Sequence, residues 1–223
     1  QDARTLSLPA GAPAPRPVPV RPEAEHPQDG LPSRLLLYVD AVGTFLVVRG
    51  GRVTIGPERR SRPVDIPLNA DPSLPVVTIE REEEDYFLSA EPPVVVNGRK
   101  VQRKLLAGGD SIELSPRCRI KFELPHPAST SAVLTISGMR IPGSDARRVV
   151  LLDKAMVMGP GASAHIRADA LREPAVLMVR DGRLICRTGE DVTVNDAPMD
   201  RAAGLPLGGK VAVGPVKLVV AAA

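Results

Sequence analysis

The stretch Arg117-Cys-Arg-Ile-Lys-Phe-Glu-Leu124 decides the fold class. Charged side chains at 117, 119, 121 and 123 alternate with Cys118, Ile120, Phe122 and Leu124. A period of two is the signature of a strand with one face in a core and one in water. It places Cys118 in that core as a small hydrophobe. Working outward, the chain keeps this texture. Leu35–Val39, Thr44–Val48 and Arg52–Ile55 are short branched and aromatic runs, separated by turn residues at 41–43 and 50–51. Val76–Glu80 and Tyr86–Ser89 flank Arg81–Asp85, which reads as a solvated, acidic hairpin tip. Short strands at this spacing predict an all-β sandwich or barrel. Asp145–Met158 has apolar residues at helical spacing, but the repeat described next makes it a hairpin matched to Phe45–Gly56.

The second half of the chain echoes the first. Val53-Thr-Ile-Gly-Pro57 returns as Met156-Val-Met-Gly-Pro160, Val96-Asn-Gly98 as Val194-Asn-Asp196, and Ala107-Gly-Gly-Asp110 as Leu207-Gly-Gly-Lys210. The offsets are 103, 98 and 100 residues, in conserved order. Two tandem domains are therefore expected, 34–124 and 131–223, joined by a hinge at 125–130. All five aromatics fall in the first copy, so the second is expected to have a purely aliphatic, weaker core. Residues 1–33 carry eight prolines among few apolar residues and read as a Pro-rich, semi-stiff disordered linker. Its loose PxxP strings at Pro13–Arg16 and Pro19–Pro22 are outweighed by that reading. A start at Gln1 without a charged-then-apolar leader reads as a fragment or a processed product.

Composition narrows the function. With 29 basic and 26 acidic side chains the net charge is only +3, which argues against a general polyanion binder. Three Phe, two Tyr and no Trp leave no stacking platform for single-stranded nucleic acid. No apolar run of membrane-spanning length occurs. The two cysteines make no disulfide framework, His26, His126 and His165 are isolated, and no metal-ligand spacing exists. Neither a serine elbow nor HExxH is present. Gly204–Lys210 resembles a phosphate-binding loop, but Val211 follows where a hydroxyl is needed and a strand follows where a helix is needed. No cofactor, metal site or catalytic group is expected.

Each copy resembles a forkhead-associated (FHA) domain, a β-sandwich module that commonly reads phosphothreonine peptides. The likeness rests on Ile55-Gly56, Asp65-Ile-Pro-Leu68, Tyr86-Phe-Leu88, the Val96-Asn-Gly98 turn and Gly109-Asp-Ser-Ile-Glu-Leu114. In the second copy it rests on Gly159-Pro160, Val194-Asn-Asp196 and Leu207-Gly208. The departures fall where that family holds phosphate. Pro57 and Pro160 stand at its arginine position, Val76 at its histidine, Pro92–Val94 at its peptide-contacting asparagine, and Arg172–Ala175 at the second serine–histidine segment. Ser73 keeps the hydroxyl. The resemblance implies a non-enzymatic adaptor or scaffold with an eroded site, cytoplasmic or on the cytoplasmic side of a larger protein. Its partner would be another protein or peptide. The alternative is a phosphothreonine reader using Arg59, Arg60 and Ser73, with Arg62 in the same loop; a hydrolase with residues assembled from distant strands is a third, disfavoured class. A solvated charged loop is the plainer reading of these arginines.

Overall fold

The computed structural model describes residues 30–59, 63–200 and 203–223, and among them every regular element is a strand. The first half runs through β1 (Arg34–Val39), β2 (Gly43–Arg49), β3 (Arg52–Pro57), β4 (Ile66–Leu68), β5 (Val76–Glu82) and β6 (Asp85–Val96). It continues with β7 (Arg99–Leu106), β8 (Ser111–Ser115) and β9 (Cys118–Glu123). The second half comprises β10 (Ala132–Ser137), β11 (Arg148–Leu152), β12 (Ala155–Gly159), β13 (Ile166–Arg167) and β14 (Ala175–Arg180). It ends with β15 (Arg183–Arg187), β16 (Val192–Val194), β17 (Ala197–Pro198), β18 (Lys210–Val213) and β19 (Val216–Ala222). The chain is all-β. The Asp145–Met158 segment holds two strands, β11 and β12, where helical spacing competed, but it is not the expected hairpin: β11 pairs β2 and β10 in the long sheet, and β12 belongs to the separate sheet.

The repeated motifs have repeated geometry. Asn97 and Asn195 both sit in the left-handed region, at φ 50°. The side-chain carbonyl of Asn97 accepts from the Ser111 N–H at 2.9 Å, and that of Asn195 from the Lys210 N–H at 3.0 Å. Their own N–H groups donate to the carbonyls of the same two residues. Each turn is thus clamped to the start of a later strand, β8 or β18, its side-chain carbonyl extending the ladder past the last backbone pair. Gly56 and Gly159 are both pressed against the incoming strand. A Cβ at Gly56 would lie 2.8 Å from Val76 Cγ2, and one at Gly159 3.1 Å from Pro174 Cα. The Gly204–Lys210 segment leads into the strand β18, as its sequence predicts, but it is an irregular connection rather than a single turn, with isolated bridges from Leu205 to Leu184 and from Leu207 to Val220.

The strand pairings do not keep to the division at 125–130. β1 pairs antiparallel with β19, with Leu37 opposite Val220, and β10 pairs antiparallel with β9, with Leu134 opposite Phe122. β2 and β11 pair in parallel at the centre, with Val47 opposite Val150, and join everything into one long sheet. The hairpin β1–β2 forms no ladder with β3–β9, nor does β10–β11 with β12–β19. Each hairpin instead completes the sheet that ends in the other half's last strand.

These four strands are buried on both faces, as their continuous apolar runs require. On one side Leu36, Leu46, Val48, Leu134, Ile136, Val149 and Leu151 join a core built on β3–β9. On the other, Leu35, Leu37, Val39, Phe45, Val47, Val150 and Leu152 join a core built on β12–β19. That second core is closed by the separate sheet β13-β12-β14-β15. In the first half the sheet turns its own corner. β6 pairs β5 and β7 along most of its length, then passes Val95 and Val96 to β8. Strands that switch layers in this way make the corners of β-sandwiches.

Three expectations change. Phe45, from the first half, is fully buried in the second core with the Arg148 guanidinium 4.7 Å from its ring centroid, so that core is not purely aliphatic. Leu124 is 40% exposed, because β9 ends at Glu123 and the alternation ends with it. Leu31, at the end of the expected linker, is buried in the second core, and its carbonyl accepts from Arg49 Nη1 at 2.8 Å. The rest of that linker, residues 1–29, lies outside the described residues.

Candidate functional site

The residues singled out for phosphate recognition lie on the connections that flank β4. Arg59 follows β3, and Ser73 lies between β4 and β5. The fold brings them to one rim, and there Arg59 is engaged by its own loops. Its Nη2 donates to the carbonyls of Pro72 and Leu74, the latter at 3.1 Å, on either side of Ser73. Its Nε is buried with no hydrogen-bond partner. The Ser73 N–H donates to Asp71 Oδ1 at 2.8 Å, an Asx turn. Bonds from the Ser73 hydroxyl and backbone hold the Asp71 carboxyl below its ordinary range. Ser73 is exposed, but its hydroxyl faces a carboxylate of its own loop. Arg60 and Arg62 lie outside the described residues. Pro57 is paired with Leu68 in the ladder, and Val76 packs against Gly56 beneath the rim.

The corresponding rim of the second half is also self-satisfied. Arg167 Nε donates to both carboxylate oxygens of Asp169, at 2.9 and 2.8 Å, and this bond holds the Asp169 carboxyl low. The backbone N–H of Arg172 donates to Glu190 Oε1 at 2.8 Å.

A buried polar network, not anticipated from sequence, joins the two halves. Arg81 at the end of β5 forms an ion pair with Asp153 in the β11–β12 turn, at 2.5 Å. The hairpin tip is therefore not wholly solvated. Asp153 also accepts from the Thr130 hydroxyl, and the Thr130 carbonyl accepts from the Tyr86 hydroxyl at 2.6 Å. Ser131, fully buried, donates from Oγ to the Ala155 carbonyl at 2.7 Å and accepts from the Asp153 N–H at 3.0 Å. His165 is buried beside it. Its Nδ1 accepts from the Val157 N–H at 2.9 Å, so Nε2 carries the proton and donates to the Ser131 carbonyl at 3.1 Å. Burial lowers the His165 pKa, against the opposing pull of the Ser131 carbonyl. His126, far away in sequence, stacks on it with ring centroids 6.3 Å apart. The two histidines are thus neighbours, which no spacing rule reveals. Among the described residues no cluster of three or more His, Cys, Asp or Glu could hold a metal ion.

A separate open groove of about 870 Å³ runs over the exposed end of β1 and across β18 and β19. Tyr38, 43% exposed, lies in it with Thr44, Lys210, Lys217 and Asp40. The lining mixes the Tyr38 ring and the two lysines with Thr193, Val211 and Val219. The outer faces of β8 and β9 instead carry the pairs Arg119–Glu113 and Lys121–Glu123.

No helix among the described residues is long and apolar enough to cross a membrane. No family model, curated protein or solved structure matches the chain.

Proposed function

We propose that this chain is a non-enzymatic adaptor, built from two FHA-like β-sandwiches, that binds another protein or peptide without reading phosphate. The observation that carries the reading is the engagement of Arg59. A phosphate dianion gives up much of its hydration on binding, and only charge-assisted donors turned toward it compensate for that loss. The Arg59 guanidinium is occupied by the carbonyls of Pro72 and Leu74, and Ser73 faces Asp71. Recruiting them would take Arg59 from the Pro72 and Leu74 carbonyls and the Ser73 hydroxyl from the Asp71 carboxylate. Val76 and Pro57, where the resemblance would place a histidine and an arginine, supply no side-chain donor.

The test compares retention of the intact protein on phosphothreonine and threonine peptide libraries of the same sequences, beside capture of native partners with and without phosphatase. Equal retention is expected, and phosphatase should change nothing. A phosphopeptide held about tenfold more tightly, with that preference lost in Arg59→Ala/Arg60→Ala, would replace the adaptor by a reader acting through Arg59, Arg60 and Ser73.

A further inference from the structure

The closing of each sheet by a hairpin from the other half has a consequence for what counts as one module. A strand at the edge of a sheet leaves a row of N–H and C=O groups unpaired, and apolar side chains beside it uncovered. Without β10–β11, β9 is such an edge, and Ile120 and Phe122 lose Leu134 and Ile136 beside them. Without β1–β2, β19 is such an edge, and the second core loses Leu35, Leu37, Phe45 and Val47 together. Neither hairpin has a ladder partner within the remainder of its own half. The connections that permit the crossing are two residues long, Gly50-Gly51 and Asp153-Lys154. Gly50 sits at φ 124°, which favours glycine, and Asp153 anchors the other crossing to Arg81.

We propose that the two halves are mutual acceptors: the exposed edge of β9 binds the β10–β11 hairpin, the exposed edge of β19 binds the β1–β2 hairpin, and the reciprocal exchange holds the halves together independently of the chain between them. The partner that each edge fits is a two-stranded apolar hairpin, here supplied by the other half. This is the chemistry of domain swapping, carried out inside one chain. It deepens the adaptor reading by fixing the two candidate rims on one rigid unit. It does not depend on whether phosphate is recognised.

The connection Pro125–Thr130 offers the test. Pro127 and Ala128 are exposed, so a protease site inserted between them leaves the pairings intact. The folded full chain is cleaved there and passed over a sizing column in native buffer. The expected result is one species of the uncut mass that contains both fragments, and that separates only in denaturant. Two fragments eluting apart, each folded, would overturn the proposal. A second variant reports the exchange itself. Val39 and Leu218 are opposed in the β1–β19 ladder, between hydrogen-bonded rows. Val39→Cys/Leu218→Cys in the cleavable chain should cross-link on oxidation, so the nicked protein keeps its full mass on a non-reducing gel. Its separation into two free fragments there, with the uncross-linked nicked protein also separating in native buffer, would sink the proposal.

Discussion

At the residue scale, Phe45 and Phe122 show how far local pattern reaches. Both are fully buried, and Phe122 faces the core that its alternation predicts, with the Tyr86 ring 5.2 Å away. Truncation of either to alanine removes a large apolar group from a packed site and should destabilise by about 3–5 kcal/mol in urea titrations. The two substitutions differ in where the damage falls. Phe45→Ala should loosen amide protection in β12, β14 and β19, whose side chains share its core, although the residue belongs to the first half by sequence. Loss of protection confined to β3–β9 would mean that Phe45 faces the other core. The inward direction of Phe122 was legible because polar neighbours mark the opposite face. Phe45 has Leu46, Val47 and Val48 after it. A run apolar on both faces says that a strand is central, but not which core each side chain enters.

At the scale of elements, β1, β2, β3, β5, β9 and the asparagine turns were legible, and the partners of the strands were not. Turns are local chemistry: the asparagines at 97 and 195 take left-handed φ at little cost, and they reappear in register. Partner choice between hairpins is not local. β1–β2 and β10–β11 are both short apolar hairpins, β9 and β19 are both acceptor edges, and nothing in either hairpin distinguishes pairing in its own half from pairing across. The rule that consecutive strands tend to be neighbours points the wrong way for β2 and β3, which here are not paired. A contact between the halves does leave one measurable trace. Gly138, after β10, has φ 83°, and a Cβ there would lie 1.6 Å from the carbonyl oxygen of Arg117, next to β9. Backbone cannot swing aside as a side chain can, so Gly138→Ala should cost more than about 3 kcal/mol. Gly143, in the same β10–β11 connection, has φ 70° and open space around it, so Gly143→Ala should cost only the left-handed penalty of about 1–2 kcal/mol. Equal costs at the two positions would contradict the close approach of β10 to β9.

For the whole molecule, the polar network between the halves sets how stability depends on pH. His165 is held neutral, with Nδ1 accepting from Val157 and Nε2 donating to Ser131. Its protonation would set a second N–H against the Val157 N–H inside a buried site. His126 stacked on it would add like charge, and the Arg81–Asp153 pair lies on the same network. The sign follows from where the proton binds. Burial, with His126 adding to it, lowers the folded-state pKa of His165 below the 6.5 of the unfolded chain. Below about 6.5 the unfolded state therefore takes up a proton that the folded state refuses. The contribution is complete above pH 6.5 and is lost as pH falls through 6.5 toward the lowered folded value. The greatest slope for one such group is about 1.4 kcal/mol per pH unit. Ordinary carboxylates titrate lower, so the window between pH 7 and 5.5 lies above them. Unfolding free energy of the intact chain should decline on acidification across that window. His165→Gln, whose amide can still donate to Ser131, should flatten the decline even if it lowers stability throughout. His126→Ala should keep most of it, because that ring adds only the smaller repulsive part. A wild-type profile that stays level from pH 7 to 5.5, or one whose slope survives in His165→Gln, would show that the junction does not hold a neutral histidine.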